Sequence, residues 1–433
     1  MFTFRRIALL VIALAVLGCL GAGGLYAFNR VTYANQIAET TVPAPTADQI
    51  KRGHYLALAG DCVACHTAPG GAPYAGGLQL NTGFGIVAAS NITPDRDTGI
   101  GGWTTKQFIL AMHRGIGDHG KRLYPAMPYT AYAKVSDADL TDIKAYLDTL
   151  PPVNHAVIAN QMPFPFNIRL MMIGWNMLFF DFGGAEYKAD PTQTAEWNRG
   201  AYLVQGLEHC STCHTTKNFL GADEAGKFLH GTDLDGWWAP DLTSNTRIGL
   251  GSWSEDDIVT FLKTGANDRM VAAGPMAEAV TNSTQHLTVP DLHAMAVYLK
   301  SIPASDDTGL TPVPPTDPQM VAGRAIYGDN CAACHVLNAT GVPGMAPAFV
   351  LSPSVQAQNP ENMIRTILAG GHVAVTETNP TGAAMPAFDW KLSDAQIAAV
   401  TTYLRNSWGN AAGPVTADQV AAKRQQIGAR ERN

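Results

Sequence analysis

Three stretches of this chain share one arrangement of reactive side chains: Cys62-Val63-Ala64-Cys65-His66, Cys210-Ser211-Thr212-Cys213-His214 and Cys331-Ala332-Ala333-Cys334-His335. Two thiols separated by two residues can add across the two vinyl groups of a haem. The histidine that follows then lies under the ring, with its imidazole placed to ligate the iron. This is the attachment pattern of c-type haem, and it predicts three covalently bound haem c groups. A zinc ribbon uses Cys pairs differently, bringing them together two by two around one ion. Here each pair has its own histidine and heads its own segment.

A haem iron takes a second axial ligand for electron transfer or keeps that position open for chemistry. A methionine beside a proline follows each motif at a similar distance: Met127 in Pro125-Ala126-Met127-Pro128, Met276 in Gly274-Pro275-Met276, and Met385 in Ala384-Met385-Pro386. A thioether is a soft ligand that favours ferrous iron and raises the potential. Met127, Met276 and Met385 are therefore the expected sixth ligands, with Met270 a rival to Met276. His113, His119, His230, His286 and His372 do not recur at equivalent positions and are expected to serve packing or surface roles.

Seven cysteines are present, six of them in the motifs. Cys19 alone remains, so no structural disulfide is expected, although covalent haem attachment points to an oxidising, extracytoplasmic compartment. Cys19 lies in an uncharged run from Ile7 to Phe28 that follows Arg5 and Arg6. As a helix that run would measure about 33 Å, enough to cross a bilayer. The arginine pair would keep the N-terminus in the cytoplasm and place the remainder on the periplasmic side of the inner membrane. A removed signal peptide and a lipoprotein signal at Cys19 are the other readings of residues 1–30. The net charge of −7, made more negative by haem propionates, argues against a nucleic-acid partner.

The elements that must position these groups repeat along the chain. Val135-Ser136-x-x-Asp139-Leu140, Leu287-Thr288-x-x-Asp291-Leu292 and Leu392-Ser393-x-x-Gln396-Ile397 each read as a helix start. A hydroxyl caps the helix, an acid or amide three residues on returns the bond, and an apolar pair staples the first turn. Tyr146, Tyr298 and Tyr403 follow at one offset, and Leu140, Ile143, Leu147 and Leu150 mark a buried helical face. A middle helix starts at Trp103-Thr104-x-x-Gln107 and again at Trp253-Ser254-x-x-Asp257. The third copy starts its middle helix at Asn359-Pro360-Glu361. Asn91-Ile92-Thr93 and Asp241-Leu242-Thr243 form a further matched pair. The tryptophans are expected to be packing groups.

The order in each copy is helix, Cys-His motif, long loop, middle helix, Met loop and final helix. Expected boundaries are 44–152, 194–303 and 317–410. Residues 304–316 read as a stiff linker rich in proline and acid, and 411–433 as a polar tail. Residues 153–193 include the apolar run Pro163–Phe182. That run is either packed between domains or exposed as a surface for a partner, the membrane or a quinone.

The chain resembles the class I cytochrome c fold, an all-α domain built around haem, in three tandem copies behind an N-terminal transmembrane helix. More specifically, it resembles the triple-haem cytochrome c subunits of bacterial membrane-bound alcohol, aldehyde, gluconate and fructose dehydrogenases. The carriers are the three motifs, Gly99-Ile100-Gly101-Gly102-Trp103 with Gly249-Leu250-Gly251-Ser252-Trp253, the stretch Gly236–Thr243, and the Met loops. The resemblance implies electron transfer from a large quinoprotein, flavin or molybdenum dehydrogenase subunit to membrane ubiquinone. It implies no substrate oxidation by this chain. A tethered shuttle to a terminal oxidase and a self-contained haem enzyme such as a peroxidase are the competing functions.

Overall fold

The computed structural model describes residues 44–180, 186–307 and 309–430, with scattered residues between Gly18 and Tyr33. The described residues are mostly helical, with three two-stranded antiparallel sheets. It divides into two compact units. One holds residues up to Ala57 and Cys65–Lys188, and the other holds Leu58–Ala64 with Ala189–Asn433.

Helix α1 (Ala47–Ala59), which lies in the first unit up to Ala57, crosses helix α3 (Asp137–Leu147), and α2 (Thr105–Arg114) lies between them in sequence. The predicted caps form. Thr104 and Gln107 make a reciprocal box at the start of α2, and the Ser136 hydroxyl accepts the Asp139 N–H at 3.1 Å. Leu140, Ile143 and Leu147 are buried on α3, while Leu150 lies past the helix end and is half-buried. The crossing depends on Gly53. A Cβ there would lie 1.8 Å from the Asp142 carbonyl oxygen. Beside it, Arg52 pairs with both Asp139 and Asp142.

The second unit repeats this crossing twice. Helix α5 (Ala195–Tyr202) packs on α8 (Val289–Ser301), and α9 (Pro318–Asn330) packs on α11 (Asp394–Arg405). Gly200 and Gly323 occupy the position of Gly53. Added Cβ atoms would lie 1.9 Å from the Ala294 oxygen and 2.2 Å from the Ala399 oxygen. Arg199 pairs with Asp291 at 2.7 Å, as Arg52 does with Asp139. At the last crossing Ala322 and Gln396 stand where the arginine and acid would be. Both charges have gone together, so neither is left unpaired in a packed helix pair. The middle helices are α6 (Glu255–Thr264), boxed by Ser254 and Asp257, and α10 (Glu361–Ala369), whose Glu361 N–H donates to the Asn359 side chain at 2.9 Å.

The structure adds detail at three connections. Residues 304–316 make hydrogen bonds to the second unit. Asn245 holds the Ser305 carbonyl at 3.0 Å, and Val313 N–H donates to Asn406 at 2.9 Å. The polar tail contains a helix, Ala417–Arg430, whose Val420 and Ile427 enter the core around Leu368, Leu392 and Ile397. Its charges face Glu361 and Asp394. A long-spaced polar helix with two apolar anchors shows little periodicity, which hid it in the sequence. The apolar run forms helix α4 (Met171–Phe179). Met172 and Ile173 are buried and Phe180 packs on Tyr129, whereas Phe164 (79 % exposed), Met177 and Leu178 (72 % exposed) face outward.

The expected membrane helix, Ile7–Phe28, falls mostly outside the described residues. Among the described residues no helix is long and apolar enough to cross a membrane.

Candidate haem sites

Each Cys-x-x-Cys segment forms a single helical turn: Cys62–Cys65, Ser211–His214 and Ala332–His335. The turn places both thiols on one side and hands the chain to the histidine. The six thiols form no disulfide. Burial pushes the Cys210 and Cys213 thiols up, and it raises Cys331 to about 11 with help from Cys334. Such thiols are protonated at neutral pH. Thioether formation with a haem removes their ionisation altogether.

The three motif histidines are oriented in the same way. Nδ1 of His66 lies 2.6 Å from the Ser90 carbonyl, that of His214 lies 2.7 Å from the Pro240 carbonyl, and that of His335 lies 3.2 Å from the Pro347 carbonyl. A carbonyl only accepts, so Nδ1 carries the proton and donates. The lone pair is therefore on Nε2, the atom an axial imidazole offers to iron, and the second bond fixes the ring plane. Desolvation pushes all three histidines below their ordinary value, while the carbonyl bond acts in the opposite direction. The neutral, ligating form is thus favoured at each.

Backbone geometry supports the same orientation. The carbonyl of each histidine accepts an N–H from a glycine with left-handed φ: Gly76 for His66 at 2.7 Å, Gly231 for His214 at 2.7 Å and Gly341 for His335 at 3.2 Å. These glycines abut the stretch of backbone that supplies the orienting carbonyl. A Cβ on Gly76 would lie 2.5 Å from Ser90 backbone, and one on Gly341 would lie 2.4 Å from the Ala346 oxygen. In the first two sites the next residue, Asn91 or Asp241, folds back on the Thr93 or Thr243 N–H at 2.9 and 2.6 Å. That turn holds the carbonyl in place. It also explains the matched pair seen in the sequence.

The methionines all precede a final helix, but the expected loop setting holds only for Met127, since Met276 lies in a helix and Met385 on a strand. Met127 sits in a tight turn, donating to Tyr124 and accepting from Tyr129, and packs beside Tyr129. Met276 is the second residue of helix α7 (Pro275–Asn282), which starts at Gly274, a left-handed glycine pressed against Trp237. Met385 lies on a short strand paired with Gly371 and packs on the core below α11. Met270 is engaged elsewhere, its sulfur accepting the Ser354 hydroxyl at 3.7 Å.

The donor set of each segment matches covalent haem: two thiols, one neutral imidazole with Nε2 free of the orienting bond, and a half-buried thioether. An orphaned polar atom points the same way. The Trp253 indole N–H is buried, with the residue 3 % exposed, and has no hydrogen-bond partner among the described residues. An unmet buried donor costs about 1–3 kcal/mol. Haem propionates supply acceptor oxygens of the kind it lacks. Lys300 fixes this loop by donating to the carbonyls of Leu250, Gly251 and Trp253 at 2.7–3.2 Å. The sequence reading had Trp253 as a packing group, which its contact with Phe261 also supports. His113 packs internally on the Val135 carbonyl at 2.7 Å, as expected for a histidine outside the sites.

Sequence reasoning missed the glycines. Gly53, Gly200 and Gly323 recur just upstream of the three motifs, and Gly76, Gly231 and Gly341 recur downstream. In a chain with 42 glycines, only register against the motifs separates these six from ordinary loop residues.

The cytochrome c family profile matches residues 50–151 and 320–408. The gluconate 2-dehydrogenase cytochrome c subunit of Pantoea cypripedii is 40 % identical over 399 residues, covering 87 % of this chain and 89 % of that protein. The cytochrome c subunit of the quinone alcohol dehydrogenase of Gluconobacter oxydans strain 621H is 39 % identical over 399 residues, covering 87 % and 83 %. The fructose dehydrogenase cytochrome subunit of Gluconobacter japonicus is 37 % identical over 418 residues, covering 89 % and 85 %.

Proposed function

Because the chain belongs to the family of cytochrome c subunits of gluconate, alcohol and fructose dehydrogenases, we propose that it is the electron-transfer subunit of such a complex, with three covalent haem c groups. Cys62 and Cys65, Cys210 and Cys213, and Cys331 and Cys334 carry them. His66, His214 and His335 are one axial ligand of each, and Met127, Met276 and Met385 the other. The observation that carries this reading is the histidine geometry, repeated three times with the same tautomer and the same glycine support. Bound haem supplies a one-electron redox centre. The protein attaches it, fixes the imidazole, excludes water and sets the ligand field.

Electrons enter from a large dehydrogenase subunit and leave to ubiquinone at the periplasmic face of the inner membrane. The engagement of Met270 by Ser354 supports Met276 as the second-site ligand. Membrane contact is assigned to the N-terminal run Ile7–Phe28, with the outward apolar face of α4 as a second point of contact. The test is purification from native membranes. A dehydrogenase subunit should co-purify, and the complex should reduce a ubiquinone analogue. The chain alone should not oxidise alcohols, aldehydes or sugars. Removing residues 1–28 behind a cleavable foreign signal should leave haem loading intact and release protein from the membrane. Turnover of such substrates by the purified chain would overturn the assignment, and full membrane retention of the truncated chain would remove the anchor.

A further inference from the structure

Within the second unit, one guanidinium joins three separate stretches of chain. Arg247 lies in the loop before α6. Its Nη2 donates to Asp307 Oδ1 at 2.6 Å while Nε engages the other oxygen of the same carboxylate. Its Nη1 donates to the Ala411 carbonyl at 2.9 Å and the Gln356 carbonyl at 3.2 Å. Gln356 returns a bond from its side chain to the Arg247 carbonyl at 3.3 Å. The loop of one haem segment, the connecting residues and two loops of the next segment are thus tied at one point. Both charges are largely buried, the Asp307 side chain being 6 % exposed.

This arrangement is specific to its place. In the first copy the equivalent of Arg247, counted back from Gly99 and Gly249, is Asp97, so the haem loop itself does not need an arginine there. A second contact repeats the same junction. Trp238 N–H donates to Asn362 Oδ1 at 2.8 Å, and Asn362 Nδ2 donates to the Trp238 carbonyl at 2.7 Å. A planar fork with four acceptors fixes orientation as well as distance. A lysine could satisfy the charge but not the plane.

We infer that Arg247 is a positioning residue for electron transfer between the second and third haem sites, holding the two segments in one fixed juxtaposition. The inference rests on the proposal that both sites carry haem. Electron exchange between buried centres depends on their separation, and a loosened junction samples longer separations. The clamp lies outside the Cys, His and Met sets, so it governs geometry rather than ligand field.

The test uses the full, haem-loaded chain and the variants Arg247→Ala, Arg247→Lys and Asp307→Asn. Haem content of the wild type is measured first, and fewer than three haems would refute the functional reading rather than the clamp. Three readouts follow: reduction potentials by titration, the rate of electron redistribution among haems after flash reduction, and hydrogen exchange of the amides around 353–358 and 409–415. Arg247→Ala should raise exchange in both loops and lose the fast redistribution phase, with potentials unchanged. Arg247→Lys should fall between it and wild type. Should Arg247→Ala not load haem, Asp307→Asn carries the same expectation. Retention of the fast phase with loosened loops, unaltered loop exchange, or slowing that tracks a shifted potential would each overturn the inference.

Discussion

Two glycines of helix α9 make opposite predictions from one geometry. Gly323 faces α11, where a Cβ would lie 2.2 Å from the Ala399 oxygen and 2.6 Å from the Tyr403 Cβ. Gly328, in the same helix, has nothing within 4 Å of its Cβ position. Alanine is the better helix former by about 1 kcal/mol, so Gly328→Ala should stabilise by about that amount. At Gly323 the same gain is set against overpacking, which costs about 1–3 kcal/mol and sometimes more. The opposing atom is a backbone carbonyl of a packed helix, which cannot rotate away, so the upper end applies. The net loss is about 2 kcal/mol. For a unit of this size each kcal/mol moves Tm by about 2–4 °C. Gly323→Ala should therefore lower a thermal transition by about 4–8 °C, and Gly328→Ala should raise the same transition by about 2–4 °C. Circular dichroism of the haem-loaded variants reads both, each serving as the control for the other. Equal shifts in one direction would refute the close helix crossing.

Replacing Cys331 and Cys334 by alanine together should remove one of three haem masses from the intact chain and leave two in denaturing-gel haem stain; any other count rejects the three-site assignment. Met276→Leu should abolish the thioether-to-iron charge-transfer band of one haem and lower its potential, whereas Met270→Leu should change neither. Met385→His should lower the third site's potential markedly, because imidazole favours ferric iron more than thioether does; an unchanged titration excludes Met385. Hydrogen bonds from Arg247 hold the Asp307 carboxyl below its ordinary value of 3.8. Its stabilising contribution is therefore present above that value and lost as pH falls through the lower folded value. Protection of the 409–415 amides relative to their intrinsic exchange rate should stay constant down to about pH 5 and fall only in stronger acid, and Asp307→Asn should remove that acid step.

The chemistry was legible in the linear chain because covalent haem attachment is local. Two thiols and an imidazole must sit within five consecutive residues, and a helical turn suffices to aim them. Helix starts were equally visible, since Thr104, Ser136, Ser254, Thr288 and Ser393 cap through bonds spanning three residues. The proposed Cys and His roles and the helix starts follow from patterns of that short range.

Tertiary packing decided what depends on distant backbone. The tautomer of each histidine is set by a carbonyl between 12 and 26 residues away. The glycines at the helix crossings matter because another helix passes within reach of a missing Cβ. The supposed linker and tail became bound elements, since Val420, Ile427 and Asp307 find partners far along the chain. A lone arginine among loop residues has no sequence signature, and Arg247 acquires its role only when Asp307, Gln356 and Ala411 converge on its fork. Short-range chemistry is written in spacing, whereas orientation and the joining of one segment to another arise from contacts that exist only after the chain has folded.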